Sequence, residues 1–114
     1  MKIVNLMPRD LVFYTDDGSI RYPRSIRNGP ETTEKRKKID EIAGIPVNEI
    51  YSAEVSNLPD PQEEIVYVVS PIVAAACSKR DDLYIPDRIV VDKDDLIGCR
   101  ALSKAFPKAL KPHL

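Results

Sequence analysis

Short β-branched and aromatic runs, each closed by proline, glycine or aspartate, recur along most of the chain. Residues 2–6 (Lys-Ile-Val-Asn-Leu) and 11–15 (Leu-Val-Phe-Tyr-Thr) flank Met7-Pro8-Arg9-Asp10, which predicts two strands with a proline-marked break. Asp16-Asp17-Gly18 supplies a tight turn, and the alternation of Ile20 and Tyr22 with Ser19 and Arg21 predicts a third strand folded back on the second. Pro23 ends it. From Ile45 to Val55 the pattern is again extended, with a break in period near Ser52 that fits a bulge. Between these stretches, residues 24–44 leave alternatives open. A capped helix from Thr32 to Ile42 has only Ile39 and Ile42 as large apolar anchors, so a strand or loop competes with it, and Gly44 stops whichever forms.

The strongest local pattern follows the rigid connector Asn57-Leu58-Pro59-Asp60-Pro61. Ile65-Val66-Tyr67-Val68-Val69 is a continuous β-prone run, as expected of a strand covered on both faces. Ser70 then offers an N-cap oxygen, Pro71 fits the first helical position, and Ala74, Ala75 and Ala76 allow close packing on a sheet, which predicts a buried helix over about 71–79. Residues 88–91 and 96–102 flank Asp92-Lys93-Asp94-Asp95 and predict a terminal β-hairpin. The whole predicts a mixed α/β (α+β) domain over residues 1–102, with a small, mostly antiparallel or mixed sheet, one buried helix and flanking hairpins. Residues 103–114 read as a basic, loosely ordered tail.

Composition narrows the function classes. With 114 residues the chain fits one domain, and its 43% hydrophobic content supports a core without staples. A net charge of -1 and a pI near 5.8 give no bulk attraction to nucleic acid or to an anionic membrane. Cys77 and Cys99 lack metal-ligand spacing and read as reduced, core-like thiols. The apolar start is too short for a signal peptide and no stretch reaches the roughly 20 apolar residues of a membrane span, so a cytoplasmic protein is expected.

Several short motifs recur in one order: Val4-Asn5-Leu6 with Pro8, Leu58-Pro59 with Tyr67-Val68-Val69-Ser70, Arg80-x-Asp82-Leu83 with Pro86-Asp87, and Val91-Asp92 with Ile97-Gly98. Over most of residues 3–102 the chain resembles a family of small uncharacterised bacterial and bacteriophage proteins. That resemblance implies a phage, prophage or mobile-element setting and carries no catalytic residues with it. The chain departs from the family pattern at Asp95, at Ser52-Ala53-Glu54 and in the basic run 35–38.

Chemistry-bearing residues form three candidate groups. Ser70 at a strand-to-helix junction, with Arg80, Asp81, Asp82 and Asp87 beyond the helix, is the candidate ligand-binding set. No glycine-rich loop accompanies it, and a helix over 71–79 holds Ser70 and Arg80 roughly 15 Å apart. Arg80 paired with Asp82 or Asp87 reads as a brace between loop and helix end. The acids Asp81, Asp82, Asp87, Asp92, Asp94 and Asp95 lack the alternate spacing and bend glycine of a calcium loop. The third group is basic: Arg24, Arg27, Lys35, Arg36, Lys37 and Lys38, near Arg21, Tyr14 and Tyr22, as a candidate for single-stranded nucleic acid. No metal set is seen, no cofactor is implied, and the only histidine, His113, sits in the tail, far from any nucleophile arrangement.

These observations favour a phage- or mobile-element-type accessory protein that binds a macromolecular partner and has no catalytic activity. The expected partner is another protein, a host protein included, with self-association left open and membrane excluded. A small-ligand or nucleotide-binding domain, enzymatic or not, using the loop after the helix is the alternative. Nucleic-acid binding through residues 21–38 ranks third.

Overall fold

A computed structural model describes residues 1–25 and 29–104. Eight strands and one short helix follow in the order β1 (Lys2–Asn5), β2 (Asp10–Thr15), β3 (Gly18–Tyr22), β4 (Glu31–Ile42), β5 (Ile45–Ser56), β6 (Ile65–Val68), α1 (Pro71–Ala76), β7 (Leu83–Lys93) and β8 (Leu96–Ser103). Six strands form a mixed sheet in the order β1-β6-β7-β8-β2-β3, while β4 and β5, among the described residues, pair with each other alone. Parallel pairs join β1 to β6, β6 to β7 and β2 to β8; antiparallel pairs join β7 to β8 and β2 to β3.

The sheet curls. Its concave face gathers Leu11 and Phe13 of β2, Val68 of β6, and Ile97 and Cys99 of β8 into one buried cluster, with Ile3 of β1 and Tyr22 of β3 packed against it. Asn5, at the end of one edge strand, donates through Nδ2 to Tyr22 O at the end of the other, at 2.9 Å. Alternation along β6 sends Tyr67 and Val69 to the convex face, where they meet Leu6, Leu83, and Val73 and Ala74 of α1. The expectation of a β6 run covered on both faces is met.

The α+β expectation is corrected. The described residues are mostly β, 61% strand against 6% helical, and no helix among them reaches seven residues. Ser70 caps α1 as the sequence suggests, its Oγ accepting from Val73 N at 3.4 Å. The helix nevertheless ends at Ala76 instead of running to Lys79, and only Val73 and Ala74 are buried. After Cys77, which still packs on the cluster, Ser78 to Asp82 offer no apolar residue to hold a further turn; Cys77 leaves helical geometry, and Arg80 N bonds to Cys77 O at 2.9 Å. What was expected to be a buried helix is one and a half turns of plug on a β core.

In the open stretch 24–44 the strand alternative holds over Glu31–Ile42, and a helix over Thr32–Ile42 does not form. Glu31–Ile42 instead pairs with Ile45–Ser56 along two 12-residue strands. Ala43 and Gly44, both at positive φ (51° and 80°), make the two-residue turn whose twist suits a hairpin. The expected irregularity near Ser52 is present, since Lys35 pairs with Ser52 and Arg36 with Ile50, leaving Tyr51 as the extra residue; a second shift leaves Ile39 extra on β4.

Candidate functional site

The β4–β5 arm rests on the body only at its base, where Val55 and Leu58 just beyond it pack on the convex cluster. At about 3.3 Å per residue, a 12-residue strand is long enough to carry the tip well past a small body. Accordingly the molecule extends 51 × 32 × 31 Å with a radius of gyration of 16.3 Å, against about 13 Å for a compact domain of this length. Residues that ordinarily seek a core are left open along it: Ile39, Ile42, Ile45, Ile50 and Tyr51 are each more than half exposed. Ile42 and Ile45 face each other across the strands next to the turn.

Charge on the arm is lopsided. β4 carries Glu31, Glu34, Lys35, Arg36, Lys37, Lys38, Asp40 and Glu41, whereas β5 carries only Glu49 and Glu54. Much of the basic run is neutralised in place. Arg36 pairs with Glu34, Lys38 Nζ lies 3.2 Å from Glu41, and Lys37 sits opposite Glu49 in the ladder. Arg24 belongs to a different part of the molecule, and Arg27 lies outside the described residues, so the candidate nucleic-acid residues do not gather on one element.

Arg24 instead lines a polar cleft of about 200 Å³ with Pro8, Arg9, Asp10, Arg21, Asp94 and Asp95. Asn5 shapes it by holding the β1–β2 turn: its Nδ2 donates to Arg9 O at 3.0 Å, and Met7 N donates to its Oδ1 at 2.9 Å. Arg21 grips the Asp10 carboxylate through Nε and Nη2, at 3.2 and 2.7 Å, and Arg24 N adds a bond at 3.1 Å. The Arg21 bonds, then the Arg24 amide, hold Asp10 below the ordinary carboxylate range. Arg9 bonds to Asp92 and to Lys93 O. Three arginines thus meet at least as many carboxylates, which leaves no net positive field to trap an anion.

The set proposed from sequence at the helix separates into local bonds. Arg80 and Asp82 form a two-pronged pair at 2.8 Å on both arms, and Arg80 Nη2 also donates to Pro59 O at 2.9 Å. That guanidinium ties the proline connector to the loop after α1, and it lowers the Asp82 pKa chiefly by hydrogen bonding. Asp81 is exposed on the same loop. Asp87 lies further along β7, accepting from Ser103 Oγ at 2.5 Å and from Arg88 N at 2.8 Å, and is likewise lowered. Ser70 is at the other end of the six-residue α1, occupied by its cap. No pocket unites these residues among those described, and no His/Cys/Asp/Glu group there is arranged to hold a metal ion. Cys77 and Cys99 are free thiols, and burial raises the pKa of Cys99.

The sequence pointed to neither the exposed apolar edge of the arm nor the Arg9–Asp10–Arg21 cleft. Both depend on pairings distant in the chain. Only the period break near Ser52 and the unanchored Ile39 and Ile42 hinted at the arm.

The chain matches no protein-family model, no curated protein and no solved structure. What the geometry defines is a curled mixed β-sheet bearing a long two-stranded arm. No helix among the described residues is long and apolar enough to cross a membrane.

Proposed function

We propose that the protein is a non-catalytic accessory protein that acts by binding another protein chain through the β4–β5 arm. One observation carries this reading: an arm built of two 12-residue strands projects from the body with five large apolar side chains more than half exposed. An isolated two-stranded ribbon is marginal in water, and exposed apolar groups at this density mark contact surfaces. The phage or mobile-element setting rests on the short sequence motifs alone.

The test is capture by the immobilised full chain from lysate of its source cells, comparing the native sequence with Ile42→Lys/Ile45→Lys and with Arg21→Ala/Arg24→Ala. A specific partner retained by the cleft variant and lost by the arm variant supports the reading. A partner that ignores the arm and depends on the cleft contradicts it.

A small-ligand site has one observation in its favour, the 200 Å³ polar cleft at Arg9, Asp10, Arg21 and Arg24. It replaces the loop after the helix, where Arg80 and Asp82 satisfy one another. A thermal shift with a panel of neutral and zwitterionic small molecules, abolished by Arg24→Ala, is the result this second reading requires.

A further inference from the structure

We infer that the arm's partner includes a second copy of this chain, which adds antiparallel along the free edge of β5 to make a four-stranded sheet in the order β4-β5-β5-β4. This rests on the reading of the arm as a binding element and names what it binds.

The two edges of the ribbon differ in the way that protected and pairing edges differ. Charged side chains, lysine above all, guard sheet edges against added strands. β4 carries eight charged residues, including the run Lys35–Lys38, and β5 carries two. β5 is therefore the less charged edge, interrupted by Pro46, which has no N–H to donate, and by the shift at Tyr51. The exposed apolar groups also do not share one face. Pairing and alternation put Ile50 on the face of Arg36 and Lys38, and put Ile42, Ile45 and Val47 on the opposite face with Asp40. A partner lying flat on the ribbon covers one face only. A strand added at the edge sets its side chains beside those of β5 on both faces, at about 5 Å.

Self-complementarity selects the second copy. The shift at Tyr51 reverses the alternation between the two halves of β5. When β5 is laid antiparallel on itself with Ile50 opposite Tyr51 of the second copy, residues 45–48 oppose residues 53–56 with matching faces. In that register Val47 meets Glu54, Asn48 meets Ala53, and neither Glu49 nor Glu54 faces a like charge. A two-fold axis between the Ile50/Tyr51 pairs closes the assembly at two chains, as an isologous interface does.

The experiment is sedimentation equilibrium of the full chain into the high micromolar range, with the native sequence beside Ile50→Lys and Tyr51→Lys. A dimer is expected for the native chain, with the dissociation constant weakened at least about tenfold in each variant and the circular dichroism of the body unchanged. As an independent arm, Asn48→Cys/Ala53→Cys is oxidised with the native chain as control for Cys77 and Cys99. A covalent dimer specific to the double variant is expected, because residues 48 and 53 lie too far apart on one strand to bridge within a chain. A native chain that stays monomeric overturns the inference, as does a dimer untouched by both lysine substitutions. If the monomeric chain still captures a different protein through the arm, the inference alone fails and the binding function stands. If neither is seen, both fail.

Discussion

Asn5 is the buried polar residue on which the closure of the sheet depends. It is 1% exposed, and its side chain makes three hydrogen bonds while its carbonyl accepts from Ser25 N and Oγ at 3.0 and 2.8 Å. Asn5→Ala strands Met7 N–H and two carbonyls, so urea unfolding should show a loss of about 2–4 kcal/mol. Asn5→Asp should lose a similar amount, since it aims a carboxylate at the Arg9 and Tyr22 carbonyls. An unchanged midpoint for both would show that the edges are held elsewhere. The Asn-Leu-x-Pro motif made Asn5 visible in the sequence, but its role was not, because its partners Tyr22 and Ser25 come from the far end of the next hairpin and just past it.

The Arg80–Asp82 pair gives a pH prediction at the same scale. Hydrogen bonding to Arg80 lowers the Asp82 pKa, so in mild acid the folded chain binds fewer protons than the unfolded one. The stability this pair supplies is therefore complete above the unfolded carboxylate value near 4 and is lost as pH falls through the lowered folded value. Asp82→Asn should cost about 2 kcal/mol at neutral pH and flatten the acid limb of a stability-versus-pH curve. A limb of unchanged steepness would assign acid sensitivity to other carboxylates. The Arg80–Asp82 pair was legible, as one of two alternatives with Asp87, because Arg80-x-Asp82 is local; the bond to Pro59 O was not.

At the scale of elements, legibility followed the range of the pairing. The β2–β3 hairpin, with its Asp-Asp-Gly turn, and the β7–β8 hairpin could be read from alternation, because each strand pairs with its neighbour in sequence. The helix was over-read from its cap and alanines, signals that start a helix without deciding its length. The arm was obscured because charge dominates β4, where exposure removes the alternation that a buried face imposes. Its turn supplies a test. Ala43 sits at φ 51°, a region costly for any residue with a Cβ. Ala43→Gly should relieve roughly 1 kcal/mol and slow hydrogen exchange of arm amides next to the turn. Faster exchange would contradict the turn geometry.

The whole molecule is a small curled sheet that spends a large part of its length on a structure contributing little to its own core. The arm has one highly charged strand, β4, and one sparsely charged strand, β5, and the inferred pairing is at β5. The most direct measurement is native-state hydrogen exchange of arm amides, resolved by residue, across a range of chain concentrations. Protection should rise with concentration across the arm, most at the β5 amides that point to its free edge, while core amides such as those of Leu11 and Val68 keep their rates. If β5 exchanges at one rate at every concentration, its edge is not a pairing edge between copies of this chain.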